Sequence, residues 1–172
     1  TVVLSPGHGY YWHSSLGWIT QRPLMFAGVP DITDVSALLD VVDGILLTGA
    51  RANVHPTRFR AEPAPAYEPY DENRDTVALS LSEACVERGV PLFGVCRGMQ
   101  EMAVAFGCSL HPEIRDLPGR MNHRMPPDGT LEEKFALRHD VTFAEEGVFH
   151  GLFGDTTVRT NTLHGQGIED AG

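Results

Sequence analysis

No stretch of this sequence stays apolar for long. The longest apolar runs, such as Val41 to Leu47 with its Asp43 and Gly44 interruptions, fall far short of the roughly 20 residues that span a bilayer, so no transmembrane helix is expected. The first residues, TVVLSPGHGYYW, lack the basic flank and the long apolar core of a secretory signal, and a cytoplasmic setting is expected from that. Basic residues are scarce as well. Thirteen Lys and Arg stand against 23 Asp and Glu, a formal charge of −10, which argues against a surface that tracks nucleic-acid phosphates or an anionic membrane. The expected partner is a small molecule. Cysteine is limited to Cys85, Cys96 and Cys108, an odd number whose spacing matches neither a disulfide framework nor a zinc site. Internal repeats and low-complexity tracts are missing too.

What is present suits one compact domain over residues 1–172, with 42% hydrophobic and 21% charged residues. Short apolar runs at residues 1–4 (TVVL), 44–48 (GILLT), 91–95 (PLFGV), 139–143 (HDVTF) and 156–160 (TTVRT) are bounded by Gly, Pro or acidic residues and read as strands. Between the second and third, Val77, Ala78, Leu81, Ala84 and Cys85 recur at helical spacing. Asp71 and Glu72 suit the start of that helix, and Arg88 followed by Gly89 suits its end. Strand, helix and strand make a βαβ unit with a parallel sheet, so the fold class is open α/β. After PLFGV, Met99, Met102, Ala103 and Phe106 share one helical face, with Gly107 as a stop, which predicts a second helix packed on the sheet. The proline-rich stretches 54–69 and 112–129 read as long loops, which in a compact domain often wall a site.

The strongest chemical signal is Gly94-Val95-Cys96-Arg97-Gly98, at the point where an apolar strand gives way to a helix. It has the form of a nucleophile elbow with Cys in place of Ser, the glycines relieving crowding at a tight turn. At a helix N-terminus the free N–H groups and the dipole favour a thiolate, so the Cys96 pKa is expected below its ordinary value. The N–H of Arg97 would then hold an oxyanion, and Gly49, where the chain leaves the adjacent strand GILLT, is the candidate second donor. The same pattern also fits a buried core cysteine at a βα turn, and spacing alone leaves both readings open. Cys85 and Cys108 read as small core residues.

Among eight histidines, His111 in His111-Pro112-Glu113 has an acid two residues on, but it reads as a decoy. The helix after Cys96 carries the chain about 15 Å from the turn, and only a fully extended path would bring His111 back. His164, in NTLHGQG after a strand end, is better placed to touch substrate, with Asn161, Thr162 and Gln166 beside it. Gln100, one helical turn past Cys96, reads as either a substrate contact or solvated surface.

DGILLTGARANVHP, YDENRD, PLFGVCRGMQE and NTLHGQG occur in order from about Leu38 to Ile168. In these motifs the chain resembles the class I glutamine amidotransferase-like hydrolases, in the peptidase C26-like, gamma-glutamyl-gamma-aminobutyrate hydrolase branch. The resemblance implies a flavodoxin-like three-layer fold with a mostly parallel central sheet. It implies attack by the Cys96 thiolate on a gamma-glutamyl amide, then hydrolysis of the thioester to release glutamate and an amine. It gives Gly49 and Arg97 as the oxyanion hole and places Gln100, Asn161 and His164 near the glutamyl group. No metal or organic cofactor is expected, the role implied is putrescine catabolism, and a homo-oligomer is admitted but not required.

Three kinds of departure qualify the resemblance. The family's catalytic His and Glu lie in a His-Pro-Glu motif well beyond the His-Gly-Gln-Gly loop, so the base is expected beyond Gly172. The domain is therefore expected to be incomplete at its C-terminus, and its N-terminal stretch SPGHGYYWHSSLGWITQRPLMF is shorter than the family's first strand and helix and lacks a clear helical pattern. TGA and FGCSL replace commoner glycine-rich turns. Two further readings stay open: a glutaminase domain that delivers ammonia to a synthase partner, and a catalytically dead ligand-binding homologue.

Overall fold

The computed structural model describes residues 2–4, 10–13, 17–20, 35–154 and 157–170, the first three segments through their backbone pairing. In chain order the elements are β1 (Val2–Leu4), β2 (Tyr10–His13), β3 (Gly17–Thr20), α1 (Val35–Leu39), β4 (Gly44–Leu47), α2 (Glu72–Arg88), β5 (Leu92–Gly94), α3 (Arg97–Ala105), β6 (Ser109–His111), α4 (Leu131–Lys134), β7 (His139–Thr142), α5 (Val148–Phe153), β8 (Thr157–Thr160) and β9 (Gly167–Asp170). All five strands read from the sequence are present. The expected α/β class holds, with β1, β4 and β5 forming a parallel sheet in that order and α2 as the crossover between β4 and β5. No described helix is long and apolar enough to cross a membrane.

The chain divides into two compact units, Thr1–Glu113 with Gln166–Gly172, and Ile114–Gly165. The strand read at HDVTF and the one at TTVRT belong to the second unit. There β7 and β8 pair antiparallel, with Asp140 opposite Arg159 and Val141 opposite Val158, so alternating apolar residues gave the strands but not the sheet they join. Also in this unit, Thr130 and Glu133 form a reciprocal capping box on α4. The rings of Phe143, Phe149 and Phe153 stack around α5.

In the first unit, α2 is set by its ends. The Asp71 side chain accepts the Arg74 N–H, covering one of the donors that a helix start leaves unpaired, and the chain closes at Gly89. Its apolar stripe, Ala78, Leu81 and Cys85, is fully buried with Leu38, Leu39, Ile45 and Leu47 in the core between α1, α2 and β4. Arg88 ties the far end of α2 to α1 through Ser36 and Asp40. A smaller cluster joins Val54, Val104 and Leu110, where β6 pairs antiparallel with β9.

The second predicted helix exists as α3, but its buried face is not the apolar one. Met99 and Phe106 are about half exposed, whereas Gly98, Gln100, Glu101 and Val104 are buried. A Cβ on Gly98 would lie 2.1 Å from the Leu47 carbonyl oxygen, so α3 docks on β4 by its glycine and the helix turns Met99 outward. Leu81 tests the main core: Leu81→Ala is expected to lower stability by about 2–5 kcal/mol, read as a lower urea midpoint with an unchanged slope.

Candidate active site

The turn from β5 into α3 holds Cys96 in a backbone conformation that side chains rarely adopt, φ 53° and ψ −109°. Among the described residues only Arg60 shares a positive φ without being glycine. Such a conformation costs of order 1–3 kcal/mol and persists only where its surroundings enforce it. Here they do. Val95 N–H donates to the Leu47 carbonyl at 2.8 Å, extending the sheet to the residue before the turn, and Gly98 N–H donates to the Val95 carbonyl at 2.9 Å. A Cβ on Gly94 would meet the Gly98 backbone at 2.7 Å, so both glycines of the elbow are needed for the close approach.

Gly49 lies where the sequence places it. A Cβ built on it would be 3.3 Å from the Cys96 Cβ and 3.8 Å from Sγ, so the end of β4 passes directly beside the thiol. The backbone N–H of Arg97 acts on the sulfur in favour of its thiolate form. Gly49, Cys96 and Arg97 therefore come together, as an exposed cysteine flanked by backbone of two adjacent strands' ends.

The expected depression of the thiol pKa is not found, and the correction has a clear cause. Loss of solvent around the sulfur pushes the Cys96 pKa up from 9.0. The Arg97 N–H and the Arg74 guanidinium pull it down, Glu101 pushes it up again, and desolvation is the largest effect. The residue as a whole is solvent-accessible, yet the sulfur atom sits among enough protein for desolvation to exceed the pull of the helix start. Among the described residues, none of the groups acting on it is a histidine. The His111 ring faces its own motif, its Nδ1 accepting the Glu113 N–H at 3.2 Å.

Beneath the elbow is a group of charges that sequence reading missed. Arg74 donates from Nε and Nη2 to the two Glu101 oxygens at 2.7 and 2.9 Å, and from Nη2 to the Thr48 carbonyl. Arg97 pairs with Asp75 and lies 3.2 Å from Glu101. Asp75 also accepts the His55 N–H at 2.9 Å. All four side chains are buried. The available signal was Arg97 and Glu101 four residues apart on the face of α3 opposite its apolar stripe. Desolvation raises the Asp75 and Glu101 pKa values, with the arginines opposing it.

The other predicted contacts are placed as follows. Gln100 is buried, and its amide nitrogen donates to the Gln166 carbonyl. Gln166 in turn clamps Val54, accepting from its N–H at 2.9 Å and donating to its carbonyl at 3.1 Å. Asn161 and His164 belong to the second unit. Asn161 is exposed there, with its amide nitrogen 3.5 Å from the Phe135 carbonyl. The His164 ring stacks on His123 with centroids 4.8 Å apart, and Thr162 is buried with its hydroxyl 2.9 Å from the His123 ring.

The peptidase C26 family model matches residues 12–172. The chain belongs to that family. Among curated relatives, a gamma-glutamyl-gamma-aminobutyrate hydrolase of Escherichia coli O157:H7 is 37% identical over 134 residues, covering 77% of this chain and 52% of the relative. The corresponding hydrolase PuuD of Escherichia coli K12 is 36% identical over the same length and shares. A glutamine amidotransferase-like protein, YvdE of Lactococcus lactis, is 30% identical over 182 aligned positions, covering all of this chain and 72% of the relative. The chain spans about half the length of the two hydrolases it matches.

Two measurements follow from the electrostatics. Arg97→Met removes a cation from the buried carboxylates and is expected to cost about 3–5 kcal/mol near neutral pH. Because the folded-state pKa values of Asp75 and Glu101 are raised, the stability they contribute is present at acid pH and lost as pH rises through those values. The Arg97→Met penalty should therefore shrink as pH falls toward 4.5, measured by urea unfolding across pH. Second, with the partners described, Cys96 should be alkylated by iodoacetamide with a half-maximal rate above pH 9.0, followed by mass spectrometry of its peptide.

Proposed function

We propose that this chain carries the nucleophilic part of a cysteine hydrolase that cleaves gamma-glutamyl amides, such as gamma-glutamyl-gamma-aminobutyrate, to glutamate and an amine. The observation that carries the reading is Cys96 itself: strained, exposed, at the strand-to-helix turn that opens α3 at Arg97, with Gly49 beside it. Membership of the peptidase C26 family and the named activity of the two Escherichia coli relatives support the same reading.

In the proposed reaction the Cys96 thiolate attacks the gamma-carbonyl carbon. The carbonyl oxygen takes the electron pair and would be held by the N–H groups of Arg97 and Gly49. Collapse of the tetrahedral species breaks the C–N bond, the leaving amine takes up a proton, and a gamma-glutamyl thioester remains. Water then adds to the thioester carbonyl, and collapse releases glutamate and restores the thiol. A general base is required for both halves, and the raised Cys96 pKa makes that requirement acute. Gln100, Asn161 and His164 enter this reading as glutamyl contacts on the family resemblance, and the free thiol suits a reducing, cytoplasmic setting.

A second reading, a binding homologue without turnover, is favoured by one observation: no histidine acts on Cys96 among the described residues. Both readings meet in one assay. Release of 4-aminobutyrate from gamma-glutamyl-gamma-aminobutyrate is expected from the protein and is expected to fall by at least about a thousandfold in Cys96→Ala. Equal turnover in that variant would overturn the cysteine mechanism, and no turnover in either protein would favour the binding reading. Preference for free glutamine, rising when a synthase is added, would identify an ammonia-delivering glutaminase.

A further inference from the structure

The second unit contains a feature that the Cys96 chemistry does not use. A cleft of about 440 Å³ is lined by Arg115, Arg124 and Arg138, with Met125, Pro126 and Pro127 completing most of its wall. Three of the chain's thirteen basic residues thus gather in one place, in a protein whose formal charge is −10. Among the described residues no aspartate or glutamate lines the cleft, although Arg115 lies 3.9 Å from Asp116 beside it. The arginines come from separate segments: Arg115 from the short 3-10 turn Ile114–Asp116, Arg124 from the loop after His123, and Arg138 from the residue before β7.

Arg138 is the most informative of the three. It is half-buried, its Nη1 donates to the Arg124 carbonyl at 3.2 Å, and it makes no ion pair with a described carboxylate. A guanidinium has five N–H donors in a planar fork that matches a carboxylate, and partial burial strengthens its attraction for an anion. Arg124 is held by an equally specific fit. Its guanidinium lies flat against Gly165, where a Cβ would come within 2.5 Å of Nη2, so this pose needs a residue without a side chain. Methionine and two prolines suit methylene groups better than they suit a hydrated inorganic ion, and the volume is that of a small organic ligand site.

We propose that this cleft binds a small aliphatic carboxylate of amino-acid or short dicarboxylic-acid size. Its carboxylate would pair with Arg138 and the flanking arginines, and its methylenes would lie on Met125, Pro126 and Pro127. The proposal stands independently of catalysis at Cys96.

Isothermal titration of the full chain with glutarate, at fixed ionic strength, tests it, with inorganic phosphate as the competing anion. Glutarate should bind more tightly than phosphate, and Arg138→Met should weaken it by at least about tenfold, with Arg138→Lys recovering only part of the loss because the fork is absent. Arg115→Gln, an exposed position, should weaken it about threefold with an unchanged melting temperature. Glutarate affinity unaltered in these variants, or phosphate binding as tightly as glutarate, would overturn the proposal. If Arg138→Met fails to fold, Arg115→Gln and the phosphate comparison decide it.

Discussion

Arg74 holds together the two pieces of backbone between which the candidate chemistry sits. From α2 it reaches Glu101 on α3 with two hydrogen bonds, and with the same guanidinium it takes the carbonyl of Thr48. Thr48 precedes Gly49, and Glu101 lies one turn into the helix that Cys96 opens. One buried cation therefore fixes the end of β4 relative to the start of α3. A shift of either would separate Gly49 from the sulfur. Arg97 and Asp75 brace the arrangement from the other side, and Asp75 extends it to the His55 N–H. Buried ion pairs seldom add much net stability compared with apolar packing, because desolvation offsets their attraction. Their value here is positional: the charges admit few arrangements, and the arrangement adopted sets the turn.

The same network explains why one helix was readable and its neighbour was misread. For α2 the local signals agree, since Asp71 caps the start, Gly89 closes the end, and Ala78, Leu81 and Cys85 supply one apolar stripe. For α3 they conflict. Met99, Met102, Ala103 and Phe106 form the apolar face, but the closest approach to β4 is made at Gly98, and Arg97 and Glu101 meet charged partners on α2. Tertiary contact overrides periodicity, and Met99 and Phe106 are left about half exposed. The strands at residues 139–142 and 157–160 show a related limit: alternation marks a strand, while its partner depends on the turns and packing around it. Gln166 was visible as a polar loop residue, but its clamp on Val54 joins positions 112 apart in sequence, a distance that no local pattern reports.

The elbow was legible because its geometry is local. Two glycines four apart around a cysteine, at the end of an apolar strand, describe a turn whose backbone cannot accommodate larger residues, and the close contacts of Gly94 and Gly98 bear that out. The electrostatics were not legible, because they depend on how much water surrounds the sulfur. A helix start favours a thiolate by a modest amount and only over its first turn. Desolvation acts in the opposite sense and is the larger effect at Cys96, even with the Arg97 N–H and Arg74 opposing it. The turn thus orients the candidate nucleophile without activating it through these groups. Orientation and activation are separable tasks: strain and backbone donors serve the first, and an imidazole serves the second.

The arginines show how an acidic chain distributes few cations. Arg74 and Arg97 are buried against Asp75 and Glu101, so their charges are balanced where solvent cannot help. Arg88 and Arg159 pair with Asp40 and Asp140 at the surface, where such pairs contribute little and tie neighbouring segments together. Arg138 follows neither pattern. It is half-buried, bonded to a carbonyl rather than a carboxylate, and shares its cleft with two further guanidiniums and no acid. Of its two neighbours, Arg115 has Asp116 at 3.9 Å, an exposed contact of the kind that contributes little. Arg138 is therefore the cleft cation that no described carboxylate offsets, and the proposed anion site depends on it rather than on the number of arginines gathered there.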